Sequence, residues 1–308
     1  MDTKLESVNC DLCGSHSSRP VFNSYRIVRC GGCGLIYTKL RSSSISTLKE
    51  YDRYAREWYL REEIQQTYYN REFEEVCLER IKLIEKFKPR GRLLDIGCGN
   101  GIFMQTAQKR NWTVEGVELS PLLVNFLQKK KGLPAQCGNF EQIDFSHNKF
   151  DVITMWEVLD HVFSPKQILS KVSQLLNDGG IFVACVNNMN SLEKTLLGEK
   201  WRIINPEHHF TYFTPVSIKK LFGQAHFSIK KLYTKGFGLY EVISTRCYNE
   251  VPGGNTPYML YRQREESTFL FLKSRKKLYR FLKGIVNFIV NIGGYGSTIV
   301  IVGQKEDV

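Results

Sequence analysis

The stretch Leu-Leu-Asp-Ile-Gly-Cys-Gly-Asn-Gly at residues 93–101 decides the fold of this 308-residue chain. Its first half is apolar and predicts a buried strand, and its glycines allow a tight turn and the close approach of a ligand to the backbone. Ile102 stands where a dinucleotide-binding fingerprint places its third glycine, which weakens the case for a nicotinamide cofactor. The stretch therefore predicts a strand, a ligand-binding turn and a helix.

Strand and helix patterns alternate from residue 92 onward. The predicted strands cover residues 92–96, 113–117, 134–137, 150–156, 180–186, 227–233 and 297–302. The predicted helices between and after them cover residues 120–130, 165–176, 215–222 and 267–289. Such alternation is typical of a doubly wound α/β sheet.

Polar and aromatic residues follow the ends of these predicted strands. Glu118 ends the second strand, where a carboxylate can accept both hydroxyls of a ribose. Asn139 and Phe140 follow the third strand and offer an amide for an adenine edge and an aromatic face. Trp156 ends the fourth strand. Together these residues predict a nucleoside site at the carboxyl edge of the sheet.

The chain resembles the core of class I S-adenosylmethionine-dependent methyltransferases in five segments, LLDIGCGNG, GVELSP, GNFEQIDF, FDVITMWEVLDHV and LLNDGGIFVACVNN. It resembles their bacterial branch with an amino-terminal zinc ribbon in CDLCG…VRCGGCGLIY and WRIINPEHHFTYFTP. The resemblance implies a seven-stranded Rossmann-like sheet whose last strand is antiparallel. It also implies S-adenosylmethionine as cofactor and a role in sugar, polysaccharide or natural-product biosynthesis.

The resemblance also assigns cofactor contacts. It places Asp95 and two loop glycines around the methionine part of the cofactor, Glu118 on the ribose, and Trp156 on the cofactor's other side. A purely structural role for Asp95 and a solvated role for Glu118 stay open. The implied cofactor-binding residues are Asp95, Gly97, Gly99, Glu118, Leu119, Asn139, Phe140 and Trp156.

Two CxxC pairs near the start of the chain predict a zinc site. The four cysteines are Cys10, Cys13, Cys30 and Cys33, and a glycine follows each pair. Four soft thiolates at this spacing suit a tetrahedral zinc ion, and a closed site of this kind is structural. We expect the zinc to stabilise a segment too short for a core of its own.

Methyl transfer to a hydroxyl or an acidic carbon needs a base with a pKa near neutral, which favours histidine. The candidates are His209, which matches the family's histidine in its segment, and His161, with Tyr212 to orient the acceptor and Glu157 as another possible base. The chain lacks the Asn/Asp-Pro-Pro-Tyr/Phe and Pro-Cys motifs that serve nucleobase methylation. Nucleic acid is therefore a less favoured acceptor.

Positive charge is concentrated in the last third of the chain. The net charge is +12, and residues 191–308 hold 18 basic and 9 acidic side chains. The predicted helix at 267–289 alternates apolar and basic residues, so it could lie on an anionic membrane or pack on the sheet with a solvated basic face. With no apparent signal peptide or spanning segment, we expect a cytoplasmic protein, with peripheral contact at the inner face of the membrane as an option.

These observations predict a zinc ribbon at residues 1–40, a helical cap at 41–90, a cofactor-binding core at 91–235 and a basic helical insertion with the final strand at 236–308. The first hypothesis is a methyltransferase that acts on O or C of a sugar or glycan precursor, which is lipid-linked if the basic helix contacts a membrane. The second is an RNA methyltransferase that binds phosphates through the ribbon and the basic last third. The third is a non-catalytic binding module that retains the fold.

Overall fold

The computed structural model describes residues 5–22, 24–42, 69–145, 148–238, 241–242, 245 and 276–306. The strands are β1 Leu5–Ser7, β2 Ser18–Val21, β3 Ser24–Cys30, β4 Ile36–Thr38, β5 Leu40–Ser42, β6 Arg92–Ile96, β7 Thr113–Glu118, β8 Ala135–Cys137, β9 Phe150–Trp156, β10 Leu176–Asn187, β11 Thr211–Tyr212, β12 Phe227–Lys235 and β13 Thr298–Lys305. The helices are α1 Tyr69–Glu85, α2 Ile102–Gln108, α3 Pro121–Lys131, α4 Pro165–Leu175, α5 Leu192–Leu197, α6 Pro215–Gln224 and α7 Lys276–Ile292.

Seven strands form the central sheet in the order β8-β7-β6-β9-β10-β13-β12. Neighbouring strands are parallel except at β13, which runs antiparallel to both β10 and β12. This confirms the predicted doubly wound α/β fold with an antiparallel last strand. The final strand lies between two others and completes the sheet from the C-terminal part of the chain.

The sheet is buried on both faces because its side chains alternate between two apolar clusters. In β6, Leu93 packs into one cluster and Leu94 into the other. In β10, Ile181 and Phe182 divide in the same way. A continuous apolar run such as Ile181–Val186 is typical of a parallel strand covered on both sides.

Three helices that follow strands begin with the same local signal. Ser120, Ser164 and Thr214 are N-caps whose side chains accept a backbone N–H, and a proline occupies the first helical position after each. These signals are why the predicted starts of α3, α4 and α6 agree with the structure to within one residue.

The N-terminal module, residues 5–42, forms two small sheets. One pairs β1 with β5, and the other has the order β11-β4-β3-β2. Strand β11 comes from the core, far along the chain, so the module shares a sheet with the segment that carries Tyr212. The predicted boundary at residue 40 falls within β5, and the strand addition from β11 was not predicted.

The C-terminal part gives a helix, a turn and a strand, as the sequence predicts for residues 284–304. Helix α7 begins at Lys276, and residues 267–275 of the predicted helix lie outside the described residues. The same holds for residues 46–68 of the predicted helical cap. Within the described part of the chain, no helix combines the length and apolar character needed to cross a membrane.

Candidate active site

The glycine loop at the end of β6 lies where the sequence predicts it. Gly97 has φ 74°, and a Cβ added there would come within 2.4 Å of the Val158 side chain. Its N–H donates to the Val117 carbonyl oxygen at 2.8 Å. Only glycine fits this left-handed, close-packed position, so the loop passes tightly over the ends of β6 and β7.

Glu118 connects this loop with the next one. Its Oε2 accepts from the Gly99 N–H at 3.0 Å and its Oε1 accepts from the Ser120 N–H at 3.1 Å. The side chain is 8% exposed. An ionised carboxylate accepts several hydrogen bonds, so Glu118 is of the chemical type that the ribose prediction requires. Leu119, beside it, accepts a weak hydrogen bond from the Cys137 thiol at its carbonyl oxygen.

Asp95 lies beneath the loop, within the sheet. Its Oδ1 accepts from the Thr154 hydroxyl at 2.7 Å, and the residue is 2% exposed. Burial raises the pKa of Asp95 to about 7, against the opposing effect of the Thr154 hydrogen bond. Its carboxyl therefore shapes the loop from below and can change charge near neutral pH.

The loop after β8 differs in part from the prediction. Asn139 uses its Oδ1 to accept from the Glu141 N–H and its amide to donate to the Glu141 carboxylate. Phe140 is 4% exposed and packs against Phe145 in the core, and the Lys171 ammonium lies 5.0 Å from its ring centroid. The Phe140 ring thus packs in the core, and its predicted contact with adenine stays a prediction.

Trp156 lies at the end of β9 against a cation that the sequence analysis missed. Its ring packs edge-on against Phe103 at 5.3 Å, and the Arg80 guanidinium lies 4.5 Å from its ring centroid. Arg80 is 8% exposed, and its Nη2 lies 3.2 Å from the Glu157 carboxylate. The available signal was a basic residue within the buried stripe of α1, between Cys77 and Ile81.

Glu157, a predicted alternative base, lies on the Arg80 side of the site. Its backbone has φ 63°, which is strained for a residue with a Cβ, and its side chain is 57% exposed. The turn that begins here also supports the loop and a histidine, because the Val158 side chain packs on Gly97 and the Val158 carbonyl accepts from the His161 N–H.

His161 and His209, far apart in the chain, lie together in the structure. Their ring centroids are 4.4 Å apart, with an interplanar angle of 39°. His161 Nδ1 lies 2.7 Å from the His208 carbonyl oxygen, and because that oxygen can only accept, Nδ1 is the donor of this hydrogen bond. His209 is 8% exposed, and burial, aided by His161, holds its pKa well below the usual range. His209 is therefore a neutral imidazole at neutral pH.

Asp160, also missed as a site residue, joins this pair. It is 1% exposed, its Oδ2 accepts from the Asn187 amide at 2.6 Å, and its Oδ1 lies 3.8 Å from His161 Nε2. Asp160, His161 and His209 each place one donor atom within 4.8 Å of the others. This group can move a proton between its members, and its donor set also suits a divalent transition ion.

Tyr212 lies on β11 near the histidine pair but is buried. Its ring centroid is 6.3 Å from that of His209, and the residue is 3% exposed in an apolar cluster with Ile36 and Trp201. Burial raises the pKa of its hydroxyl. Tyr212 therefore packs the core against the N-terminal module, and its predicted contact with the acceptor stays a prediction.

The four predicted metal-ligating cysteines come together. The Sγ atoms of Cys10 and Cys33 are 3.5 Å apart, as are those of Cys13 and Cys30, and all four lie within 4.8 Å of one another. Tetrahedral zinc with Zn–S bonds of about 2.3 Å separates its sulfurs by about 3.8 Å. The four thiols thus have the arrangement that such an ion requires.

The N-terminal module holds the His209 segment directly. Strand β4 pairs with β11, and Thr38 uses its N–H to donate to the Phe210 carbonyl at 3.0 Å and its hydroxyl to donate to the His209 carbonyl at 2.7 Å. The Asp160 carbonyl accepts the Phe210 and Thr211 N–H groups from the other side. A cavity of about 340 Å³ lies beside this segment, lined among others by Tyr37, Arg41, Phe163, Phe210 and Thr211.

Comparison with known proteins is consistent with this architecture. A family model described as a methyltransferase domain matches residues 67–232, more than half of the chain. The chain is 29% identical over 131 residues to a ubiquinone biosynthesis O-methyltransferase of Coxiella burnetii, covering 40% of this chain and 56% of that protein. It is 31% identical over 124 residues to the mitochondrial enzyme of that name from Schizosaccharomyces pombe, covering 38% and 43%.

The chain therefore spans about half the length of the curated relatives that it matches. Among solved structures, a SAM-dependent methyltransferase from Thermotoga maritima has a TM-score of 0.50 at 17% identity, covering 85% of this chain and 97% of that one. This likeness concerns the fold. The N-terminal module and the residues after 232 lie outside the family match.

Proposed function

The chain belongs to the methyltransferase-domain family and is an S-adenosylmethionine-dependent methyltransferase, and on that premise we propose that it methylates a hydroxyl oxygen of a small-molecule acceptor. We propose His209 as the group that takes the hydroxyl proton. The observation that carries the proposal is the contact between the buried His209 ring and His161, whose ring centroids are 4.4 Å apart. The turn from Glu157 to His161 connects this pair to the cofactor loop through Val158.

S-adenosylmethionine, when bound, supplies a methyl group on a positively charged sulfur. The glycine loop suits the cofactor because Gly97 and Gly99 have no side chains, so a ligand can approach the loop backbone closely. The Glu118 carboxylate accepts the Gly99 and Ser120 N–H groups beside this loop, and we propose that it also accepts the ribose hydroxyls. We propose that Arg80, buried beside Trp156, faces the cofactor's carboxylate, for which a guanidinium is suited.

The histidine pair provides a place for the acceptor's proton. His209 would take the proton of the acceptor hydroxyl at a ring nitrogen as the bound cofactor supplies the methyl group to the oxygen. His161 lies against that ring, and the Asp160 carboxylate behind His161 stabilises positive charge on the pair. Buried carboxylate charge of this kind acts without reorganising solvent.

Oxygen is the acceptor atom we propose because a hydroxyl needs a proton acceptor of this kind and because the named relatives are O-methyltransferases. The sugar or glycan precursor suggested by the sequence stays one proposal for the acceptor. A hydroxyl of a quinone precursor is the other, because the relatives are named for ubiquinone biosynthesis. We propose that the cavity between the core and the N-terminal module receives the acceptor. The Arg41 guanidinium lies 4.9 Å from the Phe163 ring centroid, so the cavity has one charged and one aromatic wall and suits both kinds of acceptor.

We propose that the four cysteines bind one zinc ion. The distances between their sulfurs support this, and four thiolate ligands close the coordination shell. Because the cysteines lie in the module that bonds the His209 segment through Thr38, the ion would stabilise the acceptor side of the site.

The test is transfer of labelled methyl from S-adenosylmethionine by the zinc-loaded full chain to three acceptor sets offered in parallel: catechols, nucleotide sugars and total RNA. We expect label in one of the two hydroxyl-bearing small-molecule sets. His209→Ala should lower kcat by about 10²–10⁴-fold with little change in cofactor affinity, since a positioned base contributes about that much.

His208→Ala is the matched control. It removes the neighbouring imidazole and keeps the backbone carbonyl that bonds His161. Equal losses in the two variants would contradict the assignment of His209. Label in RNA alone would overturn the choice of acceptor and favour the phosphate-binding hypothesis.

A further inference from the structure

Exposed apolar side chains of the described residues are concentrated at the C-terminal end. Seven large hydrophobic side chains are exposed among these residues, and five of them fall between residues 285 and 295. The five are Ile285 at 42%, Phe288 at 67%, Ile289 at 62%, Ile292 at 72% and Tyr295 at 54% exposure. Scattered exposed hydrophobics are ordinary, whereas a contiguous group marks an interaction surface.

Four of these residues form one stripe on α7. Ile285, Phe288, Ile289 and Ile292 follow the spacing i, i+3, i+4, i+7, which places them on a single face of a helix. We call this face, with Tyr295 at its end, the α7 stripe.

The opposite face of α7 is the one that packs on the protein. Val290 is 4% exposed there, and the side-chain oxygens of Asn287 and Asn291 are buried. Helix α7 contacts β12. A helix on the surface of a soluble protein turns its apolar face inward, but α7 turns amide side chains inward and its apolar stripe outward.

The charge of α7 indicates what covers the stripe. The helix carries Lys276, Lys277, Arg280 and Lys283, and residues 276–304 contain no acidic side chain. A second copy of the chain packed stripe to stripe would bring two such basic helices together, and their like charges would repel. A phosphate backbone would satisfy the basic residues and leave the apolar stripe in water. An anionic bilayer surface meets both needs, since headgroups attract the lysines and the acyl boundary takes the apolar side chains.

We propose that α7 is a membrane-surface helix that docks the α7 stripe on anionic lipid, lying in the plane of the interface. This inference does not depend on the proposed acceptor or on His209. It places the enzyme at a membrane surface, where it would bind its acceptor.

The experiment is flotation of the zinc-loaded full chain with vesicles of phosphatidylglycerol and phosphatidylcholine, beside vesicles of phosphatidylcholine alone. We expect binding to the anionic vesicles at least tenfold stronger than to the neutral ones, weakening as salt is raised from 50 to 500 mM. The variant Phe288→Asp/Ile289→Asp should lower the partition coefficient for anionic vesicles at least tenfold, because both side chains would leave the acyl boundary.

Val216→Asp is the matched control, because Val216 on α6 is 62% exposed, as Ile289 is, but lies away from the stripe. Its binding should equal that of the wild type, and thermal melts of all three proteins check that each is folded. Equal vesicle binding by the two variants, or no binding by the wild type, would overturn the proposal. A dimer that the α7 double variant abolishes, without vesicle binding, would assign the stripe to a second copy.

Discussion

The proposed active site has a cofactor side and an acceptor side, and the two are built in different ways. The cofactor side consists of consecutive loops that each follow a strand, and Glu118 bonds two of them through backbone N–H groups close by in the chain. The acceptor side joins Thr38, Asp160 and His209, which come from three distant segments. The first side can keep its geometry by local structure alone, whereas the second depends on the packing of the N-terminal module against the core.

Removing the proposed zinc should give the largest difference between the effect on the acceptor side, measured as kcat, and the effect on the cofactor side, measured as the cofactor Kd. Without it, the N-terminal module has too small a core to stay folded, and β4 would no longer hold β11. We expect Cys30→Ser/Cys33→Ser to lower kcat by about 10³-fold or more, while the cofactor Kd changes only a few-fold. Activity assays and calorimetric cofactor titration measure the two quantities.

Metal analysis adds a second check. The wild type should hold one equivalent of zinc, which the double variant loses. Two equivalents would assign a second ion to Asp160, His161 and His209 and would contradict the proton-acceptor role. A parallel loss of cofactor affinity in the double variant would show that the two sides are not separable.

Glu118→Ala should produce the reverse of the zinc-site result, with a large change in the cofactor Kd and a smaller change in kcat. The variant removes the acceptor for the Gly99 and Ser120 N–H groups and for the proposed ribose hydroxyls. Because charge-assisted hydrogen bonds are worth about 1.5–3 kcal/mol each, we expect the cofactor Kd to rise about 10²-fold. Calorimetry measures this, and Glu115→Ala on the same strand, 20% exposed at its side chain, serves as the control. Similar effects of the two variants would argue against a direct contact by Glu118.

Asp95 allows the cofactor side to be examined by pH. Since burial raises the pKa of Asp95 to about 7, its ionised form, which suits a positively charged cofactor, should become populated as pH rises from 6 to 8. The cofactor Kd should therefore fall by up to about tenfold per pH unit below pH 7 and then level off. Asp95→Asn should bind weakly and show little pH dependence, whereas a wild-type slope retained in this variant would point to another group.

The Asp95 carboxyl should also make folding stability depend on pH. Rising pH should strengthen cofactor binding but lower the stability of the unliganded protein. The folded chain keeps the Asp95 proton up to about pH 7, while an unfolded aspartate loses it near pH 4. Stability from the protonated form is therefore complete below pH 4 and is lost as pH rises through 7. Asp95→Asn, which stays neutral, should be more stable than the wild type at pH 8, by the order of a few kcal/mol. Thermal or urea denaturation of the unliganded proteins measures this difference.

The contrast between the two sides also explains what the sequence could predict. The glycine loop, Glu118 and the capped starts of α3, α4 and α6 are local patterns, and the structure has them at the predicted places. The four cysteines also could be predicted, since a CxxC pair brings two thiols together by itself. The meeting of β4 with β11 depends on contacts between segments about 170 residues apart, and no local pattern encodes it.

Phe140 shows what a local sequence pattern cannot predict on the cofactor side. Its position after β8 suits an aromatic contact with a ligand, but whether the ring turns to the ligand or to the core depends on Phe145 and Lys171, which pack against it. Arg80 was missed for the related reason that its partner, Trp156, lies on another element. Local patterns thus predicted which loops follow the strands, while tertiary packing determined where their side chains lie.

The smallest expected effect comes from one side-chain hydrogen bond that joins the N-terminal module to the proposed base. Thr38→Val removes the hydroxyl that donates to the His209 carbonyl at 2.7 Å and keeps the side-chain shape, while the Thr38 N–H still bonds Phe210. A buried hydrogen bond of this kind is worth about 0.5–1.5 kcal/mol, so we expect kcat to fall about two- to tenfold with the cofactor Kd unchanged.

Thr106→Val is the matched control, because Thr106 also donates from a buried hydroxyl to a backbone carbonyl at 2.8 Å, but on α2 behind the glycine loop. If both variants lost stability equally and only Thr38→Val lowered kcat, the module would act on the acceptor side by holding His209 in place. An unchanged kcat in Thr38→Val would mean that the β4–β11 backbone pairing is sufficient for this positioning.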